Sequence, residues 1–405
     1  MSDPERRRLE AALARAPTNP GALNALGVHC LGAGDPARAA ELFTQATAID
    51  PNAGTLWMNL ANAQRALGED AGERASLERV LALDARELGA LIRKAQLQQR
   101  LGETMAATRT WGAAIAVAPP PAERGGPIAQ ILADAQAYVA EHSRAFTAAI
   151  DGDLSAARAA HAPAELRRFD TAVDVMLGRR RIYMNECAGL HFPFLPAHEF
   201  FDCHHFTPWL ADLEAATPAI QSEIASLLTA DEGFAPYIQM PPGLPANLWS
   251  ELDQSPRWSA YHLWTFGEPR PEALARCPAT RAVLEAIPRA ELPGRCPNAF
   301  FSILKPRTRI PPHGGVSNTR LTVHLPLIVP EGCGFRVGGE TREWRVGEAF
   351  VFDDTIEHEA WNDSDHVRAV LIFDVWNPYL TAAERELLKS LYVATDASGR
   401  DPKSR

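Results

Sequence analysis

A 34-residue period in the first third of the chain constrains the fold more than any other feature. Gly34, Gly68 and Gly102 repeat at this spacing, and each separates two amphipathic stretches. The same period relates three further sets of positions, namely Asp50 and Asp84, Phe43, Leu77 and Trp111, and Leu26 and Leu60. Each copy therefore predicts two helices joined by a tight turn. Three copies in register predict a solenoid in which every helical hairpin packs on its neighbours.

Residues 19–120 resemble the tetratricopeptide repeat (TPR), because each copy is a 34-residue helical hairpin with a small residue in its turn. Residues 4–16 predict a preceding half-repeat or cap, so the helical array is expected over residues 1–120. The resemblance implies a concave face that holds a protein or peptide partner. A dimerisation or spacing module is the alternative, and no residue pattern on the inner face identifies a ligand.

Proline and glycine end this array at residues 118–127, where the sequence reads APPPAERGGP. Such residues break helices and mark boundaries. Helical spacing then returns, which predicts a helical linker with a packing role over residues 121–185. Aromatic residues and prolines become frequent from about residue 185, so residues 186–390 are expected to form a second domain and residues 391–405 a flexible tail.

The second domain is predicted to be rich in strands. Short runs of β-branched and aromatic residues begin at residue 299, and turn signals separate them. Several short strands at this spacing indicate a sandwich or a barrel. Helices are expected to pack outside it at residues 212–230 and 271–287.

Composition and charge argue against several broad classes of protein. The 405 residues carry a formal net charge of −10, which argues against a general nucleic-acid binder. No apolar run reaches about 18 residues, so no membrane-spanning segment is expected. The charged first residues lack the apolar core of a signal peptide, and the six cysteines form no CxxC pair. We therefore expect reduced thiols and a cytoplasmic location.

Two histidines of the strand-rich region are candidates for metal ligands. His313 lies in IPPHGGVSNTR and His358 in FDDTIEHEAWND, each at the edge of a predicted strand, and Arg368 follows on the next strand. Imidazole is a good ligand for Fe(II), and the guanidinium fork matches a carboxylate. A metal with an arginine nearby could bind a keto acid, whose keto end chelates the metal while its far carboxylate pairs with the arginine. Because the chain has 12 histidines, hydrogen-bonded core or surface positions are the alternative.

A second group of histidines lies earlier in the chain. Cys203, His204 and His205 are adjacent, and His191 and His198 lie close to them in sequence. This segment is aromatic and loop-like and lacks strict ligand spacing, so a structural role is predicted for it.

The segment from Ser302 to Trp376 resembles the aspartyl/asparaginyl β-hydroxylase family of 2-oxoglutarate-dependent oxygenases. The resemblance rests on SILKPRTRIPPHGGVSNTRLTVHLPLIVPEGCGFRVGGETREWRVGEAFVFDDTIEHEAWND and RAVLIFDVWNP, and extends more loosely back to about residue 190 through FPFLP and WSAYHLWTFGE. The family implies a double-stranded β-helix, which is a jelly-roll or cupin-like barrel. The whole chain is therefore expected to be an α + β multidomain protein, with a TPR solenoid ahead of the oxygenase barrel.

The same resemblance implies roles for particular residues. His313 and His358 match the iron ligands, and Arg368 matches the arginine that binds the side-chain carboxylate of the cosubstrate 2-oxoglutarate. Further positions on the motif are expected to contact the cosubstrate or to line the pocket, namely Ser302, His324, Asn318 and Arg320. Fe(II) and 2-oxoglutarate are thus the implied cofactor and cosubstrate.

Gly315 stands where many iron oxygenases carry a third, acidic ligand two residues after the first histidine. The hydroxylase family also lacks that carboxylate. A glycine leaves a coordination position open to water, and a halide could enter the gap, so halogenation stays an alternative. Four acidic residues near the second histidine are expected to make turn hydrogen bonds, although one could approach the metal, namely Asp353, Asp354, Glu357 and Glu359.

The resemblance implies hydroxylation of an unactivated C–H bond with molecular oxygen. We expect the substrate to be an Asp- or Asn-type residue, or a related amino acid, peptide or carrier-bound substrate, with the repeats docking the partner. Thr322 departs from some animal members of the family, which carry a basic residue at this position. Two alternatives remain, namely a small-molecule or lipid-linked oxygenase, and a TPR scaffold with an inactive barrel.

Overall fold

The computed structural model describes residues 4–123 and 125–398. Its internal contacts divide the chain into two compact units, with the boundary between Asp170 and Thr171. The first unit is helical. Its helices are α1 Pro4–Arg15, α2 Pro20–Gly32, α3 Pro36–Ile49, α4 Gly54–Leu67, α5 Asp70–Leu83, α6 Leu88–Arg100, α7 Thr104–Val117 and α8 Gly126–Arg158, and α9 Pro163–Met176 crosses the boundary.

Three glycines form the tight turns within the helical hairpins. Gly34 connects α2 to α3, Gly68 connects α4 to α5, and Gly102 connects α6 to α7, with φ angles of 82°, 74° and 72°. These angles lie in the left-handed region, which glycine adopts without a steric penalty. The predicted array of helix–turn–helix repeats is therefore confirmed.

Small residues allow the helices of a repeat to approach closely. A Cβ atom at Gly27 in α2 would lie 2.6 Å from the ring of Phe43 in α3. That ring is fully buried together with Leu23 and Leu26. The apolar positions that repeat with the 34-residue period are thus core positions, and the repeating glycines are turn positions.

Packing in the first unit continues past the prolines that were expected to end it. Ala135 of α8 is buried in one cluster with Trp111 of α7, and Ile131 and Tyr138 pack against that cluster. The helical linker expected at residues 121–185 therefore packs on the repeats over the length of α8 that follows them, because the apolar face of α8 covers the face that α7 would otherwise leave exposed.

The second unit contains two antiparallel sheets. The strands are β1 Phe200–Phe201, β2 Ala235–Pro236, β3 Trp258–Thr265, β4 Glu268–Pro269, β5 Ala299–Leu304, β6 Thr308–His313, β7 Arg320–Ile328, β8 Cys333–Val337, β9 Glu340–Arg342, β10 Phe350–Phe352, β11 His358–Asn362 and β12 Arg368–Trp376. The larger, eight-stranded sheet has the order β1-β10-β7-β12-β5-β3-β2 with β4 beside β3, and the smaller has the order β6-β11-β8-β9. The predicted strand-rich domain is confirmed.

The two faces of the larger sheet have different neighbours because side chains alternate along each strand. One face packs on helices, which are α10 Trp209–Ala215, α11 Thr217–Ala230, α12 Pro271–Arg276 and α13 Pro278–Ala286. Leu321 and Val323 of β7 point to this helical side. The opposite face shares a second core with the smaller sheet, where Phe352 and Val370 pack with Phe335. The helices predicted outside the sheet are therefore found there.

The chain continues into a helix where a flexible tail was expected at residues 391–405. Helix α14 covers Ala382–Ala397, and Thr381 and Glu384 form a capping box at its start. Leu388 is buried in a cluster with Trp376. The prediction is wrong up to Ala397, because this apolar contact and the cap stabilise the helix; residues 399–405 lie outside the described residues.

Candidate active site

A cavity of about 300 Å³ lies between the two sheets of the second unit. The same alternation that buries one face of β7 and β12 on the helices turns their other side chains into this cavity. Arg320, Thr322 and His324 of β7 line it, as do Arg368 and Asp374 of β12.

The two candidate iron ligands meet at one wall of the cavity. His313 is the last residue of β6 and His358 the first of β11, and the strands pair so that these two residues are opposite each other. Their ring centroids are 4.1 Å apart. The Nδ1 atoms donate to the carbonyl oxygens of Pro311, at 2.8 Å, and Ile356, at 3.0 Å. Each ring therefore keeps Nε2 as its lone-pair nitrogen, which is the atom that can bind a metal.

Burial keeps both rings neutral. It lowers the pKa of His358 to about 3, with a further contribution from His313, and it also lowers the pKa of His313. Neutral imidazole is the form that coordinates metals. In the part of the chain that the structure describes, no group of three or more His, Cys, Asp or Glu side chains is placed to hold a metal ion.

The space beside Gly315 is filled by a carboxyl group from elsewhere in the chain. A Cβ atom at Gly315 would overlap with the carboxyl of Asp354, which lines the cavity. One oxygen of this carboxyl, Oδ1, is buried and has no hydrogen-bond partner among the described residues. Burial raises the pKa of Asp354 to about 6, against the lowering effect of Arg320.

The other acidic residues near His358 point elsewhere. Asp353 accepts hydrogen bonds from the backbone and hydroxyl of Thr355, at 3.0 and 2.6 Å, as expected for a turn. Glu357 and Glu359 both pair with Arg336. Asp354 is therefore the acidic residue of this group that faces the cavity.

Arg368 lies at one end of the cavity as a buried cation. Its side chain is 1% exposed, and Nε and Nη2 have no hydrogen-bond partner among the described residues. The guanidinium lies over the ring of Trp344, 4.4 Å from its centroid. Burial lowers its pKa to about 9, so the group is still charged at neutral pH. A buried charge without a counter-ion is costly, so this end of the cavity fits an anionic group.

Two further polar side chains face the cavity near Arg368. His324 is buried, and its Nδ1 has no partner in the part of the chain that the structure describes. Burial and the charge of Arg368 lower its pKa well below the usual value. The hydroxyl of Ser302 accepts a hydrogen bond from Nε1 of Trp258 at 3.1 Å. Its own proton is therefore available to a ligand. Ser302, His324 and Arg368, which were expected to contact the cosubstrate, therefore lie together at this end, whereas Arg320, which was expected to do the same, lies beside Asp374.

Of the two remaining residues predicted to line the pocket, Arg320 lines the cavity and Asn318 does not. Arg320 lines the cavity, where Nη1 donates to Oδ1 of Asp374 at 2.6 Å and Nη2 lies 3.5 Å from Oδ2 of Asp354. Asn318 is instead buried outside the cavity lining, so its expected place in the pocket is wrong. Its side chain accepts from the backbone N–H of Phe192 at 2.8 Å and donates to the carbonyl of the same residue at 2.9 Å.

These hydrogen bonds hold a segment that sequence reasoning left without a role. Ala188 and Gly189 donate to the carbonyls of Gly315, at 3.0 Å, and Val316, at 2.9 Å. Asn185 donates to Asp353 and Thr355 at 2.7 and 2.8 Å. Residues 185–192 therefore lie along the loop that follows His313. No local sequence signal could have found this contact, since its partners are more than 120 residues apart.

Aromatic residues of the cavity wall were also missed. Trp249 packs edge-on against His313 with ring centroids 4.9 Å apart, and Tyr237 stacks on Trp258 at 4.1 Å. Both lie in irregular segments where the sequence shows aromatic residues but no period. The early histidine group does not line the cavity: His198 and His205 both lie 3.4 Å from the hydroxyl of Tyr379.

Comparison with known proteins agrees with the two units. Residues 214–378 match the family model described as aspartyl/asparaginyl β-hydroxylase, and residues 31–72 match a tetratricopeptide repeat model. The human protein named aspartyl/asparaginyl beta-hydroxylase is 37% identical over 166 residues, which are 40% of this chain and 22% of that protein. The mouse protein of the same name is 40% identical over 136 residues, or 33% of this chain and 18% of that protein.

A bacterial relative is matched over more of its length. The protein of Rhizobium tropici named ornithine lipid ester-linked acyl 2-hydroxylase is 30% identical over 233 residues, which are 55% of this chain and 79% of that protein. The fold and the matches define a repeat-bearing member of a hydroxylase class. More particularly, the chain belongs to the aspartyl/asparaginyl β-hydroxylase family, as the sequence motif predicted. The match spans about a fifth of the length of the human and mouse proteins named above.

Among the helices within the described ranges, none is both long and apolar enough to cross a bilayer.

Proposed function

We propose that the chain is an Fe(II)- and 2-oxoglutarate-dependent dioxygenase that hydroxylates a C–H bond. The observation that carries this proposal is the buried, unpartnered guanidinium of Arg368 in the same cavity as the paired His313 and His358. A structural role would not leave a cation buried without a counter-ion. An anionic cosubstrate that reaches from the metal to this arginine accounts for both features.

The donor set fits iron. His313 and His358 are neutral, their rings are adjacent, and each has its Nδ1 occupied by a backbone carbonyl, so two Nε2 atoms are available to one ion. Two protein ligands leave positions for a chelating keto acid and for water or oxygen. The unpartnered Oδ1 of Asp354 can accept a hydrogen bond from a water molecule in one of these positions.

The opposite end fits the distal carboxylate of 2-oxoglutarate. Arg368 offers Nε and Nη2 for a two-point contact, and Ser302 and His324 add neutral polar atoms. The aromatic wall formed by Trp258 and Phe335 excludes water from the reacting groups. When bound, the iron supplies the oxidative decarboxylation of 2-oxoglutarate by oxygen and the transfer of one oxygen atom to the substrate.

We also propose that the two sheets form a double-stranded β-helix. In support, β6 and β11 place His313 opposite His358 in the smaller sheet, while β7, β12 and β5 carry the cosubstrate-facing residues in the larger one. A site between two facing sheets is the arrangement expected for the mouth of such a barrel. Halogenation is disfavoured, because the carboxyl of Asp354 beside Gly315 would repel a halide there.

The substrate we favour is an Asp- or Asn-type residue or a related amino acid in a peptide or carrier. The family of the chain and its repeats, which are typical of protein interaction, support this choice. A lipid-linked acyl chain is the second candidate, because the matched Rhizobium protein is named for that activity and the cavity has apolar walls.

Succinate formation tests the proposed function. Purified protein with Fe(II), 2-oxoglutarate and oxygen should form succinate, and His358→Ala should abolish both this turnover and Fe(II)-dependent 2-oxoglutarate binding. His366→Ala is the matched control, because this histidine is exposed and does not line the cavity. If the unaltered protein shows no turnover and no Fe(II)-dependent binding of 2-oxoglutarate, the proposed function fails, and the chain is a repeat scaffold with an inactive barrel.

A further inference from the structure

The cavity has two ends that differ in charge. Arg368 and Asp374 face it from the same strand, β12, and lie six residues apart, which corresponds to about 20 Å along a strand. The Arg368 end is assigned above to the cosubstrate. The Asp374 end is lined by Arg320, Asp354 and Tyr237 and is left for the group that is to be oxidised.

Arg320 is not available to a ligand, because two carboxylates hold it. Nη1 donates to Asp374 at 2.6 Å, and Nη2 lies 3.5 Å from Asp354. The exposed fractions of these side chains are small: 16% for Arg320, 6% for Asp374 and 13% for Asp354. A buried pair with such geometry resists separation, since an uncompensated charge would remain.

Asp374 is itself fixed in place. Its second oxygen, Oδ2, accepts hydrogen bonds from the backbone N–H and the side-chain amide of Asn298 at 3.0 and 2.9 Å. The carboxylate therefore cannot turn away to release Arg320 to a substrate. The pairing is built into the wall of the cavity.

The charges of the cavity can be summed from its lining. Among the described residues that line it, two arginines and two aspartates are the charged side chains, so they cancel. The charges of a divalent metal and of the 2-oxoglutarate dianion also cancel. With Arg368 assigned to the cosubstrate, the other end holds one cation and two carboxylates, which is a local excess of one negative charge.

From this charge distribution we propose that the substrate group that enters at Arg320 is uncharged, an amide or a hydrocarbon, and that carboxylates are rejected. The inference rests on the proposed function and narrows its substrate class. An incoming carboxylate would meet two like charges and, among the described residues that line this end, no unpaired cationic side chain, and like charges brought together in this way disfavour binding. An amide or alkyl group would meet the hydroxyl of Tyr237 and the apolar walls of Phe300 and Ile372.

The first test uses the unaltered protein. Random peptides with a fixed central Asn, Asp or Leu are added to the Fe(II)- and 2-oxoglutarate-loaded protein, and succinate is measured above the peptide-free rate. We expect the Asn or the Leu pool to stimulate at least about tenfold more than the Asp pool. Stimulation by the Asp pool equal to or above the others would overturn the proposal.

The second test uses the Asp374→Asn variant, which removes the carboxylate that pairs with Arg320. It measures inhibition of peptide-free succinate formation and therefore needs no substrate that is hydroxylated. N-acetyl-aspartate should inhibit peptide-free succinate formation at least about tenfold more strongly in this variant than in the unaltered protein. Inhibition by N-acetyl-asparagine should stay the same. Asp363→Asn is the control, because Asp363 pairs with Arg309 on the surface, outside the cavity.

Two results would overturn the proposal. One is that N-acetyl-aspartate inhibits Asp374→Asn and the unaltered protein equally. The other is that N-acetyl-aspartate and N-acetyl-asparagine inhibit the unaltered protein equally at low concentration. If Asp374→Asn does not fold, the peptide pools decide. If the unaltered protein forms no succinate in any arm, the proposed function fails instead, which is a different result from a reversed preference.

Discussion

Arg368 and Arg320 lie at opposite ends of one cavity, and their surroundings differ. Arg368 is buried with two unpartnered nitrogens, whereas Arg320 is held by Asp374 and Asp354. Burial lowers the pKa of Arg368 to about 9. Burial acts in the same direction on Arg320, but its two carboxylates outweigh this effect and raise its pKa above the ordinary value.

This difference separates a binding residue from a residue of the wall. A protein stabilises a buried cation by pairing it, so an unpaired one marks the place where an anionic ligand completes the structure. The charge of a paired cation is already neutralised by a carboxylate of the protein. The presence of an arginine in a pocket therefore does not by itself indicate recognition of an anion.

The largest expected effect is that of Arg368→Met on cosubstrate use. Loss of the charge-assisted contact should reduce succinate formation at limiting 2-oxoglutarate by roughly a hundredfold to a thousandfold. The thermal midpoint of the ligand-free protein should not fall, because the change removes a buried, unpaired charge. Arg368→Lys is the matched control and should recover only part of the activity. An unchanged KM for 2-oxoglutarate in Arg368→Met would contradict the assigned role.

Arg320→Met should show the opposite pattern. It leaves Asp374 and Asp354 uncompensated, so the free energy of unfolding should fall by about 3 kcal/mol or more. Urea unfolding measures this change. Arg309→Met provides the comparison, because its pair with Asp363 is exposed and should contribute less than about 1 kcal/mol. Equal, small losses in the two variants would show that Arg320 is not held as described.

Asn318→Ala should have a smaller effect, on stability rather than on cosubstrate affinity. The change removes two hydrogen bonds to the backbone of Phe192, which leaves buried groups unpaired at a cost of about 1–3 kcal/mol. Asn318→Asp keeps the hydrogen-bond acceptor and loses the donor, so its free energy of unfolding should lie between those of the unaltered protein and Asn318→Ala. A large rise in the KM for 2-oxoglutarate without any loss of stability would instead place Asn318 in the cavity.

The smallest effect is expected in the first unit. Gly102→Ala places a side chain at a φ of 72°, with no atom within 4 Å of the new Cβ, so only the backbone penalty of about 1 kcal/mol remains. Calorimetry of the full chain should show this loss in the first unit. The KM for 2-oxoglutarate should be unchanged, and a change in it would mean that the cavity responds to the repeats.

Much of the fold could be predicted because its signals are local or periodic. Gly34, Gly68 and Gly102 mark turns by their chain position, and the strand runs after residue 299 show alternation. The packing of α8 and the helix in the expected tail could not be predicted, for the opposite reason. Whether α8 packs on α7, and whether α14 persists beyond residue 391, depends on burial of Ala135 and Leu388 against distant residues.

The sequence by itself determined the repeat period, the strand-rich second domain and the family motif that contains His313, His358 and Arg368. These features depend on residues near one another in the chain or on a fixed spacing. Only the tertiary structure decided that Arg368 is unpaired and that Arg320 is paired. Arg320 and Asp374 are 54 residues apart and meet because β7 and β12 pair in one register. Charge pairing is a property of distance in space, and no spacing in the chain encodes it.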